Sequence, residues 1–173
     1  AMSRAALNAI GGLKPLVDYL ADDFELGFRI SNVGYEVVLA NVVVETHLPA
    51  YSLRGFFQHQ MRWSRSMRDS RRAGYIGLLF TFGLPWAIFS VLLAPLSWWS
   101  WAALAAAAFL RTVLAIKVGI GIVQDRTLWR GLWLLPLRDL VAFWFWIASF
   151  ASNNVYWRGE IFLLKNGQLR RNK

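Results

Sequence analysis

The chain has 173 residues, 57% of them apolar, with ten Trp, no Cys and a formal net charge of +9. The lack of cysteine excludes disulfides and thiolate metal sites. The basic residues flank apolar runs, which fits anionic lipid headgroups and argues against nucleic acid as a partner. No charged residue falls between Arg72 and Arg111. That run exceeds the ~20 residues one membrane helix needs, so the class is a membrane protein. The first residues show no secretory signal. The chain opens on Ala1 inside what reads as a working element, and the expectation is a piece of a longer protein.

Residues 3–20 carry apolar groups at helical spacing, interrupted by Gly11-Gly12 and Pro15. Two short helices around a glycine turn are expected. Asp22, Asp23 and Glu25 then open another helix, with Phe24 and Phe28 on its apolar side. Residues 35–46 are dense in β-branched side chains and predict one or two strands buried on both faces, as in an α/β sheet. Ser52 is a suitable N-cap for a helix that carries Leu53, Phe56, Phe57, Met61 and Ser64 on one face. His59, Arg62 and Trp63 share another face at i, i+3 and i+4. Arg65, Arg68, Arg71 and Arg72 are expected to continue toward the bilayer, making this an interfacial helix.

Three spans are predicted, at about 75–96, 101–118 and 140–156. Pro85 lies inside the first, Trp98, Trp99 and Trp101 sit at the hairpin after it, and Arg111 falls within the second. Arg111 should face protein, water or the interface, because a charge in lipid is costly. Arg138 and Asp139 are expected to form a local ion pair. The tail from 158 to 173 is basic. Three spans would place that basic tail opposite the basic helix, against the positive-inside tendency. Either the tendency fails here, or one apolar segment is re-entrant or lies in the interface.

Two constellations can carry chemistry. Acids in a first helical turn complement the helix dipole and need no function. The functional reading is a general base that takes a hydroxyl proton as the oxygen attacks an anomeric carbon. Arg62-Trp63 can be read as an interfacial anchor. It can equally be read as a guanidinium for a leaving diphosphate beside a flat face for a sugar or acceptor. His59 is read as a hydrogen-bond donor, and His47 is given no role.

Tyr19-Leu20-Ala21-Asp22-Asp23-Phe24-Glu25-Leu26-Gly27, then His59-Gln60-Met61-Arg62-Trp63, then several spans, resembles the ceramide glucosyltransferase family, glycosyltransferase family 21. The likeness is to its bacterial members, which include enzymes that glycosylate hopanoids. Val155-Tyr156-Trp157-Arg158-Gly159 resembles the family's Trp-Arg-Gly segment. The resemblance implies that Asp23 is the general base and Asp22 its acidic neighbour. It also places His59, Arg62 and Trp63 in substrate binding, with Arg62 and Trp63 at the donor diphosphate and acceptor. His59 departs from the family's Gln or Arg, and Gln60 could replace it only with a register shift.

What the resemblance implies for the whole chain is an α/β architecture plus membrane helices. Residues 1–51 would be the C-terminal part of a GT-A nucleotide-sugar domain and 52–73 the interface helix. Residues 74–157 would be the membrane region and 158–173 a basic tail. The family's N-terminal anchor and first nucleotide-sugar half would lie outside this chain. So would the aspartates for a divalent cation (Mg or Mn), leaving no metal ligand in this piece. The implied activity is inverting transfer of a hexose, first of all glucose, from a UDP-sugar to a membrane-lipid hydroxyl at the cytoplasmic face of, most simply, a bacterial inner membrane. Ceramide is the first acceptor. A hopanoid with N-acetylglucosamine as the sugar is the second. The competing readings are a non-catalytic scaffold or transporter subunit and a processive polysaccharide synthase. A transporter would want paired polar groups at mid-membrane, and a synthase would want more spans.

Overall fold

The computed structural model describes residues 2–44, 46, 50–157 and 159–171. His47, Arg158 and Lys173 lie outside the described residues. The fold is mostly helical with one small sheet, and it divides into two compact units. The first comprises Ala1–Val42, His47–Ile76 and Ala148–Lys173. The second comprises Val43–Thr46 and Gly77–Ile147.

In the first unit, α1 (Arg4–Ala9) is capped by Ser3, whose hydroxyl accepts from the Ala6 amide at 3.1 Å. A 3₁₀ turn at Lys14–Leu16 leads into α2 (Asp22–Asn32). The long helix α3 (Leu53–Ser70) starts as expected at Ser52, whose hydroxyl accepts from the Gly55 amide at 3.2 Å. After the membrane region come three antiparallel strands in the order β1 (Asn154–Trp157), β2 (Glu160–Lys165) and β3 (Gln168–Arg171). The core holds Leu16, Ile30, Val155 and Leu164, the last two each 1% exposed.

The strands expected within 35–46 are not there: the described residues of that stretch form no strand, and Leu39 is almost fully exposed. β-Branched composition favours a strand only where a partner ladder and a packed face exist, and no described strand pairs with it. The sheet lies instead in the tail, where only basic character was expected. Asn166 (φ 53°) and Gly167 (φ 78°) form the two-residue turn between β2 and β3. Left-handed φ at both positions is the type I′ geometry that Asn-Gly favours.

The second unit is apolar. It contains the end of α4 (Arg72–Gly77), then α5 (Gly83–Leu93), α6 (Trp98–Ile116), the helical turn α7 (Leu128–Gly131) and most of α8 (Leu135–Ala148). Two continuous helical stretches, Trp98–Ile122 and Leu128–Ala151, are long and apolar enough to cross a membrane. The second begins earlier than the expected 140 and gives way to β1 at Asn154. Between Arg72–Thr81 and Gly83–Leu93 the chain bends by 55° at Phe82. Pro85 explains the bend: its ring excludes the carbonyl of Thr81 and it has no amide to donate.

Arg111 donates to Asp139 through Nε at 2.7 Å and Nη2 at 3.0 Å, tying α6 to α8. The expected Arg138–Asp139 pair is therefore replaced by a bidentate interhelical one. Neighbouring residues on a helix point about 100° apart, and the helical Arg111 gains more from a counter-ion than the pair at the border does.

Candidate active site

The acidic turn is positioned from behind by the tail sheet. The Leu20 amide donates to the Gly167 carbonyl at 3.0 Å, and the Leu169 amide donates to the Asp18 carbonyl at 2.8 Å. Tyr19 pairs with Gln168 across this bridge. The Tyr19 ring is then covered by Arg29, whose guanidinium lies 5.4 Å from the ring centre. Arg29 also donates to Glu25 at 2.7 Å, and this hydrogen bond, against some loss of solvent, raises the guanidinium above its ordinary pKa. The third acid of the cluster is thus occupied by an i, i+4 ion pair. Asp22 accepts from the Asp23 amide at 3.0 Å and Asp23 from the Phe24 amide at 2.8 Å. Both carboxylates are fixed in the first turn of α2 and retain acceptor sites.

α3 uses its faces differently. Arg65, Arg68 and Asp69, at i, i+3 and i+4, face the tail. Arg65 donates to the Asn154 carbonyl, Arg68 to the Ser149 carbonyl and the Asn153 side chain, and Asp69 accepts from the Gly167 amide. Arg68 is buried. Burial, followed by repulsion from Arg68, lowers the pKa of Arg65. The expectation that both arginines continue toward the bilayer is therefore corrected: they bind the carbonyl-rich end of the last helix and the start of β1. Free carbonyls at a helix end attract cations strongly. The second face carries Arg62, Trp63, Ser66, Met67 and Ser70.

That face and the acidic turn line one cavity of about 580 Å³, within the size range of small-ligand sites. Asp22 and Asp23 stand on its α2 side, with Leu20 and Phe24 beside them; Arg62 and Trp63 stand on its α3 side. Four of the five residues singled out in the sequence therefore meet at one void. His59 does not line it. Its ring packs between Tyr51, at 5.0 Å, and Trp63, at 5.5 Å. Burial, then the charge of Arg62, lowers its pKa, so the neutral imidazole is favoured. Ser66, Ser70 and Trp157 also line the cavity; sequence reasoning passed over the serines and noted Trp157 only as part of the Trp-Arg-Gly resemblance. The serines were legible at i+4 and i+8 from Arg62. The place of Trp157 at the site was not legible, because it arrives on a strand 95 residues from Arg62 along the chain.

Carboxylates facing a guanidinium and an indole across a small-molecule volume can do acid–base work beside an anion. Among the described residues no group of three or more His, Cys, Asp or Glu could hold a metal ion. The described residues supply no all-protein cage for a divalent cation, and no step below runs through one. No curated protein and no solved structure matches the chain. A family model described as Glycosyl transferase family 21 matches residues 1–170. With the acid turn, the Arg-Trp helix and the apolar helices all inside the matched range, the chain belongs to glycosyl transferase family 21, whose activity is transfer of a sugar to an acceptor.

Proposed function

We propose that the protein is a membrane-bound, inverting glycosyltransferase that moves a hexose from a UDP-sugar to a lipid hydroxyl. Ceramide is the first choice of acceptor and glucose of sugar, with the reaction at the cytoplasmic face. One observation carries this reading: Asp22 and Asp23 share a cavity with Arg62 and Trp63 on a helix that leads into the apolar helices. In this mechanism the Asp23 carboxylate takes the proton of the acceptor hydroxyl. The freed oxygen pair forms the new bond at the anomeric carbon while the bond to the diphosphate oxygen breaks on the opposite face. The Arg62 guanidinium offsets the charge that develops on the departing UDP. Trp63 gives the sugar or acceptor a flat apolar surface. Asp22 accepts from the Asp23 amide and so helps hold the turn that presents its neighbour.

The test is Asp23→Asn in the enzyme at its natural full length. Transfer of glucose to ceramide, followed by mass spectrometry of extracted lipid, should fall by about 10²–10⁴-fold, with membrane insertion and melting temperature retained. Near-normal turnover would remove Asp23 from the chemistry.

A further inference from the structure

We infer that the Ser70 end of this cavity is an acceptor subsite, built from Ser66 and Ser70 of α3 and Trp157 of β1. It recognises a lipid that carries a second hydrogen-bonding group beside the hydroxyl that reacts. This rests on the glycosyl transfer proposed above and names the acceptor chemistry of the same site.

The argument starts from the order of groups along α3. Arg62, Ser66 and Ser70 all line the cavity at i, i+4 and i+8, a track about 12 Å long at 1.5 Å per residue. One end carries the guanidinium, which suits a diphosphate. The other end lies two residues before Arg72, where the uncharged run begins. The soluble, doubly charged donor belongs at the first end and the amphiphile at the second. There the Ser66 and Ser70 hydroxyls have no hydrogen-bond partner among the described residues. Each can donate one bond and accept two.

Trp157 supplies the apolar side of the subsite, and it is a fixed wall. Its strand is laddered to β2 and anchored by the buried Val155 and by the bond from Arg65 to the Asn154 carbonyl. Its ring meets Phe162 edge-on, with centres 6.2 Å apart. Met67, a flexible thioether, fills the space next to the serines. A lipid with one hydroxyl would present that group to the carboxylates and leave both serines unmatched. A lipid with an adjacent amide or second hydroxyl would satisfy them, and a site built to bond such groups discriminates against analogues that lack them.

The experiment compares wild type and Ser66→Ala/Ser70→Ala at natural full length in mixed micelles with a UDP-sugar. Two acceptors carry a neighbouring polar group, an N-acyl aminodiol and a polyhydroxylated triterpene. Two carry one hydroxyl, hexadecanol and cholesterol. Wild type should prefer a two-group acceptor by kcat/KM. The double variant should lose about tenfold of that preference, the worth of one to two neutral hydrogen bonds, with the donor KM and melting temperature held. Trp157→Phe should raise the acceptor KM several-fold, again with the donor KM held. Transfer by wild type with the same acceptor preference in the double variant would overturn the subsite alone. Wild type that transfers to none of the four lipids would overturn the proposed function and this inference with it.

Discussion

At the scale of single residues, the site is selective about which charges it leaves available. Glu25 is paired with Arg29, and Arg65 and Arg68 are spent on backbone carbonyls, which leaves Asp22, Asp23 and Arg62 at the void. His59 shares the helical spacing of Arg62 and Trp63, yet its ring packs between Tyr51 and Trp63 and does not line the cavity. Its folded pKa lies below the unfolded value of 6.5. Below 6.5 the unfolded chain therefore takes up a proton that the folded chain resists, and stability falls as pH drops through 6.5 toward the folded pKa. We expect the melting temperature in detergent to decline over that window in the wild type and to decline less in His59→Gln. Parallel pH profiles would remove His59 as the cause. Because His59 supports Trp63 from outside the cavity, its loss should reach catalysis through the orientation of that indole.

At the scale of elements, the β2–β3 turn is the piece that fixes the acidic turn. Gly167 has a left-handed φ, accepts from Leu20, and donates to Asp69; a Cβ there would lie 3.0 Å from the Tyr19 ring. Gly167→Ala should cost about 1–2 kcal/mol from the backbone alone, and should lower kcat/KM as well by displacing Tyr19 and the aspartates after it. Gly159 has a similar φ of 87° but open space around it. Gly159→Ala should therefore cost stability with a smaller effect on kcat/KM. Equal loss of activity in both variants would show that the turn does not position the acids. Much of this arrangement was readable beforehand. The acid turn and the Arg-Trp pair stood out because each gathers reactive types within a helical turn. The Ser52 cap and the long uncharged run were equally local. The hairpin was missed although Asn166-Gly167 between Glu160–Lys165 and Gln168–Arg171 announces it; basic residues in the tail drew the reading toward lipid. The partners of Arg65 and Arg68 were not legible, because they lie more than 80 residues away and, the Asn153 side chain apart, are backbone carbonyls, which have no sequence signature.

At the scale of the whole molecule, the contacts inside the first unit constrain how the chain crosses a bilayer. β1–β3 hydrogen-bond to α3 and to residues 18–20, so the tail and α3 share one side. A chain that leaves a side at Ser70 and is back on it by Asn154 makes an even number of complete crossings. Trp98–Ile122 and Leu128–Ala151 are long and apolar enough to supply two. The pair bent at Phe82 is then expected to enter and leave by one face or to lie in the interface, which removes the conflict between three spans and a basic tail. The absence of cysteine makes this direct to check by labelling single cysteines with an impermeant maleimide in sealed vesicles. Arg54→Cys, Ser97→Cys and Gln168→Cys should label from one side and Gln124→Cys from the other. Ser97→Cys labelling from the side opposite Arg54→Cys would make the bent pair a true crossing, and Gln168→Cys labelling opposite Arg54→Cys would break the parity. The grip of Gly167 and Leu169 on residues 18–20 has one more consequence, in time. The clamp that sets the acids is translated after both long apolar helices. A nascent or truncated chain that stops short of β3 holds the acidic residues and the Arg-Trp helix without the brace between them. Such a chain should therefore be silent toward its donor, and activity should begin only when the β2–β3 hairpin emerges from the ribosome and folds back.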